Sequence, residues 1–442
     1  MAPKVSFISL GCAKNTVDSE VMLGRLALGG FTVCQEYADS DVVVVNTCGF
    51  LQSAEKEAIE TIGRATRLKR RGRVKAVVVA GCLPQRYGPE VEKKLRDVDA
   101  IVGVTDREKI AEVCRAALAG THPEVLNLVD RNYPSHEVDR DRLRITPRHY
   151  GYLRVAEGCN HTCAFCIIPH IRGRFRSKPI EELLREAREL AADGAVELCL
   201  IGQDTSEYGL DLYRETRLHE LLARLGEIDG VRWIRCHYMY PTMVSDRQIR
   251  EIARNPKVVK YIDMPIQHTR ERMLRIMRRG ITQKKQDELI ERLRAEIPGL
   301  AMRTTVIVGH PGETREDHEA MLEDLRKFRF ERLGAFTYST EPGTAAALME
   351  KKVPRAEQAR RYNAVMSAQR SIAREIHRGW IGRTLECIVD EVPEKGAAIG
   401  RTAADAPDVD GRIYLKGAGL RPGSLVRARV TAAREYDLLG VL

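Results

Sequence analysis

Cys159-Asn160-His161-Thr162-Cys163-Ala164-Phe165-Cys166 is a C-x3-C-x2-C run in the middle of a 442-residue chain, and the strand–helix pattern around it takes its meaning from this run. Three closely spaced thiolates are one ligand short of the four that iron–sulfur clusters and structural zinc normally take. A four-iron cluster held by three cysteines leaves one iron open to a small molecule, so the run predicts a reactive site. Two other readings fit the spacing. Zinc could take the three sulfurs with His161 or His170, although the usual paired C-x2-C units and distant His pairs are missing. The grouping could also be accidental.

Working outward, Tyr152–Ala156 reads as a strand leading into the run. Five more strand candidates follow: Glu197–Ile201, Val231–Cys236, Lys260–Met264, Met302–Val308 and Leu333–Tyr338. Helical stretches lie between them, among them Ile180–Ala192, Leu218–Ile228, Ser245–Arg254, Gln283–Ala295 and Arg315–Phe328. Six βα repeats predict a partial (β/α)6 barrel, in which functional loops follow the strands. The cysteine run follows the first strand, Gln203 and Asp204 the second, His237–Pro241 the third, Gln267 the fourth and Gly309–Glu313 the fifth. Arg303, inside the fifth strand, is expected to face the lumen, where a cation pairs with a carboxylate. Each residue has an ordinary structural alternative; their shared position at one mouth is the argument. Arg172, Arg174, Arg176 and Lys178 alternate beyond the run and would share a face if extended. That face would hold an anionic group or be a solvated edge.

The first 118 residues also alternate strand and helix. Lys4–Leu10, the β-branched Asp41–Asn46 and Lys75–Ala80 read as buried parallel strands, so residues 1–118 predict an open parallel α/β sheet. Cys12, Cys48 and Cys82 each follow one of these strands, beside Gly11, Gly49 and Gly81. Carboxyl ends of parallel strands share one sheet edge, where such folds bind ligands. A second three-cysteine site is therefore expected, against the alternative of three small buried apolar side chains.

Composition narrows the classes. The eleven cysteines accompany no signal-peptide pattern and no apolar run near the ~20 residues that cross a bilayer. This predicts a cytoplasmic protein with metal ligands rather than disulfides, and no membrane partner. The formal charge of +10 points weakly to an acidic or nucleic-acid partner. The densest basic run, Arg64 to Lys75, sits at a helix end and reads first as a solvated face. A charged linker is expected over 119–144. After a long helix at Arg355–Arg378, four short strands (Thr384–Asp390, Ala397–Thr402, Gly411–Leu415 and Leu425–Ala433) predict a small antiparallel β-barrel over 376–442. That segment has ten cations and nine anions, too balanced for phosphate binding. Its acidic loop at 404–410 would suit a basic protein partner.

The run C-x3-C-x-aromatic-C, with Phe165 as the aromatic, resembles the signature of the radical S-adenosylmethionine (radical SAM) superfamily, and the last segment resembles the TRAM module. The order of a three-cysteine α/β domain (1–118), a radical SAM domain (145–375) and a TRAM domain (376–442) is similar to that of the methylthiotransferases over essentially the whole chain. Residues 9–20, 46–50, 237–241 and above all 400–411 resemble the protein-modifying branch more than the branch that modifies tRNA adenosines, which is the alternative. His310 departs from the family, which usually has Phe in Gly-Phe-Pro-Gly-Glu.

The resemblance implies two [4Fe-4S] clusters, one on Cys159, Cys163 and Cys166 and one on Cys12, Cys48 and Cys82. It implies S-adenosyl-L-methionine bound at the barrel mouth by contacts that include Phe165, Gln203, Asp204, Gln267, Arg303 and Gly309. The implied reaction is radical addition of a methylthio group to the β-carbon of an aspartate on ribosomal protein S12, with electrons from a donor such as flavodoxin or ferredoxin. No general base is assigned.

Overall fold

The computed structural model describes residues 2–37, 40–95, 97–121 and 139–442. The β-branched runs become the centre of the first domain. Lys4–Ser9 (β1), Thr32–Cys34 (β2), Val42–Thr47 (β3), Ala76–Gly81 (β4) and Ala100–Val102 (β5) form a parallel sheet in the order β2-β1-β3-β4-β5. Every residue of β3 and β4 is buried. Ala13–Leu28 (α1) and Ile110–Leu118 cover one face of the sheet and Gln52–Arg70 (α2) the other, so neither strand can alternate polar with apolar. Each such valine contributes on the order of 1.5–3 kcal/mol by leaving water.

Most of the expected linker, residues 122–138, lies outside the described residues. The part that follows is not a loose tether. Asp139 is buried, and Glu20 of α1 accepts from the backbone N–H groups of Ile145 and Thr146.

The second domain is the expected open barrel. Tyr150–Arg154 (β6), Glu197–Ile201 (β9), Trp233–Cys236 (β10), Val258–Asp263 (β11), Ala301–Val308 (β12) and Arg332–Thr337 (β13) lie in the order β13-β12-β11-β10-β9-β6, all parallel. A hairpin of Ala156–Glu157 (β7) and Arg176–Ser177 (β8) brackets the cysteine run. Leu198, Leu200, Ile234, Ile262, Met302 and Val306 pack outward against the helices. Their alternates Cys199, Arg235, Tyr261 and Arg303 face the lumen. Val17 and Val21 of α1 pack on Tyr150, Tyr152, Cys199 and Ile201. This explains why α1 is buried well beyond a single amphipathic stripe.

The helix Arg355–Arg378 runs from the barrel into the last domain, where its penultimate residue His377 meets Arg332 of β13. Thr384–Glu391 (β14), Ala398–Thr402 (β15), Ile413–Lys416 (β16), Leu425–Ala433 (β17) and Leu438–Val441 (β18) close into a barrel ordered β14-β15-β16-β18-β17. The fifth strand, a four-residue Leu-Leu-Gly-Val, is additional to the four read from sequence. It pairs parallel with β16, so the barrel is not wholly antiparallel.

The acidic loop corrects an expectation. Asp405 accepts from Arg332 Nε at 2.8 Å, Asp410 from Tyr261 at 2.7 Å, and Asp408 from Tyr150 and Tyr152, each at 3.1 Å. The carboxylates of Asp405 and Asp410 are therefore taken up by the chain's own barrel instead of offering an acidic face to a basic partner, while Asp408 is an exposed residue. The cations and hydroxyls that balance them come from β6, β11, β12 and β13.

Candidate metal centres

The barrel run is held on both sides by backbone. Cys159 N–H donates to Gly173 O at 3.1 Å, Ala164 N–H to Met277 O at 2.9 Å, and Ala346 N–H to Ala164 O at 2.8 Å. Burial pushes the Cys159 and Cys166 thiols up to about 12, and the neighbouring sulfur of Cys163 adds to both. Arg279, 4% exposed, donates from Nη1 to Cys163 Sγ at 3.2 Å and from Nη2 to Pro265 O at 2.7 Å. Its guanidinium lies 4.1 Å from the ring centroid of Tyr240. No carboxylate pairs with Arg279 among the described residues, and its Nε has no partner. A buried cation without a counter-charge is costly. An anionic cluster carried by three thiolates fits that requirement.

At the sheet edge, Cys12 is the N-cap of α1, Cys48 follows β3, and Cys82 opens the short helix Cys82–Tyr87. The three loops meet closely. A Cβ on Gly11 would lie 3.0 Å from Cys48 Cβ, and one on Gly49 would lie 2.8 Å from Cys82 O. Gly81 has φ +98°, and a Cβ there would lie 2.2 Å from Asn46 Oδ1. Only glycine allows this approach. Burial raises the Cys82 thiol to about 12 against the pull of Arg172, and Cys48 and Cys12 each raise it further. Burial raises Cys48 too, again with Cys12 adding to the effect. The amino terminus of α1, whose N-cap side chain makes no capping bond, turns its partial positive charge toward this edge. The donor set fits a second anionic cluster.

The six cofactor candidates fare differently. Phe165 stands edge-on to His310 with centroids 6.3 Å apart, beside Tyr338 and Ala346. Gln203 donates to Glu157 at 2.7 Å. Asp204 is fully buried and occupied within the chain: Oδ2 contacts His161 Nε2 at 2.7 Å and Oδ1 accepts from Ser206 N–H and Oγ–H. Gln267 stands at the mouth with φ +71°, a strained setting for a non-glycine residue. Arg303 faces the lumen and meets chain carboxylates, Asp263 Oδ1 at 2.8 Å and Asp410 Oδ1 at 3.4 Å. Gly309 packs against Gln358, whose Cγ would be 2.4 Å from an added Cβ. Burial holds His310 down at about 4, so the ring is neutral; Nδ1 bonds to Pro311 O at 2.9 Å and Nε2 has no partner.

The alternating cations do not share a face. Arg172 ends the helix Ile168–Arg172, and Gly173 (φ +74°) turns the chain. Arg172 and Lys178 are buried while Arg174 is exposed. Lys178 bonds Asp139 at 2.6 Å and Glu186 at 2.7 Å. Sequence reading missed Arg279, Asn15, Asp18 and Glu157, and it placed Tyr240 only as part of the mouth loop His237–Pro241. A partial signal existed for Asn15 and Asp18, which lie three apart on one face of the helix that follows Cys12.

Three family models match the chain: the radical SAM superfamily over residues 153–325, an uncharacterized protein family designated UPF0004 over 4–103, and the TRAM domain over 381–442. Among solved structures, the radical S-adenosylmethionine methyltransferase TsrM of Kitasatospora setae shares the fold, with a TM-score of 0.55 at 16% identity over 79% of this chain and 77% of that one. OxsB, a cobalamin-dependent S-adenosylmethionine radical enzyme, reaches 0.51 at 11% identity over 84% of this chain and 58% of that one.

Fold, cysteine run and family match thus define a radical SAM enzyme. The relatives narrow this. Proteins named ribosomal protein uS12 methylthiotransferase RimO are similar over nearly the full length. The one from Symbiobacterium thermophilum is 44% identical over 99% of this chain and 90% of its own, that from Anaeromyxobacter sp. 45% over 100% and 93%, and that from Desulforamulus reducens 43% over 100% and 99%. The chain belongs to the RimO family of radical SAM methylthiotransferases.

Proposed function

We propose that the chain attaches a methylthio group to the β-carbon of an aspartate in ribosomal protein S12. The reading is supported by Cys159, Cys163 and Cys166 lying in one loop after β6 and by Cys12, Cys48 and Cys82 each following a strand of the first sheet, in a chain of the RimO family. Cys159, Cys163 and Cys166 would hold one four-iron cluster, and Cys12, Cys48 and Cys82 a second. When bound, the first with S-adenosyl-L-methionine supplies radical chemistry and the second supplies sulfur. The target hydrogen sits on an unactivated carbon whose acidity no general base can exploit, which supports a radical route.

The chain's own residues supply orientation and seclusion. Arg279 and Tyr240 flank Cys163. Phe165, His310 and Tyr338 form an aromatic wall beside the run. α1 covers the open side of the barrel along β6 and β9. Phe165, Gln203, Gln267 and Gly309 would meet the cofactor at the mouth, and Asp204 and Arg303 would act through their chain partners. Electrons would come from a small redox protein such as flavodoxin or ferredoxin, and the setting is cytoplasmic. Among the described residues no helix is long and apolar enough to cross a membrane.

Mass spectrometry of ribosomal protein S12 from cells lacking this chain tests the reading. The expected result is loss of one methylthio group from an aspartate. An unchanged S12 beside a lost tRNA adenosine modification would overturn it.

A further inference from the structure

Arg172 stands where the two cysteine sites meet. It closes the helix Ile168–Arg172, which starts two residues after Cys166. Its guanidinium nevertheless reaches the amino-terminal domain. Nη2 donates to Cys82 Sγ at 3.1 Å and to Asn15 Oδ1 at 2.6 Å. Nη1 meets Asp18 Oδ2 at 2.8 Å and Glu157 Oε2 at 3.1 Å. The residue is 4% exposed. Both carboxylates are themselves anchored: Asp18 Oδ1 takes Arg154 at 2.6 Å and Arg107 at 3.0 Å, and Glu157 takes Arg154 at 2.8 Å and Gln203 at 2.7 Å. The arm is therefore fixed from both domains.

We propose that Arg172 is a positioning residue that couples the two metal centres, fixing the sheet-edge site against the barrel run and raising the reduction potential of the sheet-edge cluster through its hydrogen bond to the Cys82 sulfur. This rests on the proposed ligation by Cys12, Cys48 and Cys82. The physical reason is charge. Reduction adds an electron to the cluster, and a donor on a ligand sulfur stabilises the more negative state. Asp18 and Glu157 offset the net charge of Arg172, so its influence lies in the directed N–H···S bond. Arginine suits the position because one planar fork spans the sulfur, an amide oxygen and two carboxylates, which an ammonium cannot.

The test uses the full chain with Cys159, Cys163 and Cys166 all replaced by Ala, so that only the sheet-edge cluster assembles. Its midpoint is read by redox titration followed by electron paramagnetic resonance, with iron per chain measured alongside. Arg172→Gln is expected to keep the iron and to shift the reduction equilibrium at least about tenfold toward the oxidised state, about 59 mV for one electron. Arg172→Lys, whose ammonium goes to the carboxylates and leaves the sulfur, shifts the same way and serves if the glutamine variant does not fold. The parental midpoint in either folded variant overturns the proposal. Failure of any cluster to form in the parent background overturns instead the ligation on which it rests.

Discussion

The two proposed cysteine sites would solve one chemical problem from opposite directions. The barrel run places three sulfurs within eight consecutive residues and needs only a loop clamped by Met277 and Ala346. The proposed sheet-edge site would gather sulfurs from positions 12, 48 and 82, and depends on three strand ends and three glycines meeting. Their cations differ as well. Arg279 has no carboxylate partner among the described residues, whereas Arg172 is balanced by Asp18 and Glu157. The comparison teaches that the local site leaves a bare positive charge for its ligand to neutralise, while the dispersed site is already balanced and rests on interdomain packing.

The largest expected effect separates the two sites outright. Cys163→Ala should abolish 5′-deoxyadenosine formation, while Cys82→Ala should leave it intact and abolish methylthio transfer. Each should reduce reconstituted iron from about eight per chain to about four. Identical phenotypes in a product assay would erase the distinction.

Next comes the contrast of cations. Arg279→Gln removes a charge that bonds Cys163 and has no carboxylate partner among the described residues, so iron in the barrel site should fall several-fold. Arg172→Gln should leave iron content unchanged. Iron analysis of both variants under the same reconstitution decides it, and equal losses would break the argument from charge balance.

A third prediction concerns the joint between the barrel and the last domain. Asp405→Ala strands the buried Arg332 guanidinium, and breaking a buried pair costs about 3–5 kcal/mol. The urea midpoint should fall accordingly, with both clusters still able to form. An unchanged midpoint would mean that His377 and the Glu331 carbonyl satisfy Arg332 unaided.

The smallest effect is acid sensitivity at that joint. Burial would raise Glu197, but Arg401 and Arg235 outweigh it and hold the carboxyl at about 2, below its ordinary 4.5. A depressed carboxyl contributes stability above its unfolded value and loses it as pH falls through the folded one. The contact between β9 and the last domain should therefore weaken between pH 4.5 and about 2. Limited proteolysis across that window should release the last domain progressively, and Glu197→Gln should flatten the dependence.

Much of this was legible in the chain. The barrel strands and the helix Arg355–Arg378 follow from β-branched runs and helical periodicity, and the two proposed cysteine sets rest on the rule that ligands gather at strand carboxyl ends. The edge strands β2 and β5 and the closing strand β18 were not legible, because three or four residues carry too little pattern. The alternation of Arg172, Arg174, Arg176 and Lys178 misled because it assumed an extended chain where Gly173 breaks a helix. The acidic loop misled because a charge count has no direction: its complement was Arg332, Tyr261 and the tyrosines of β6.

Sequence by itself determined where the cysteines stand and which strands they follow, and suggested their division into two threes, since spacing and periodicity are local properties. Only the tertiary structure decided which cation serves which sulfur. Arg172 lies six residues from Cys166 yet donates to Cys82, ninety residues away. Long-range electrostatic pairing in a buried interface is set by how domains pack, and no linear pattern encodes that distance.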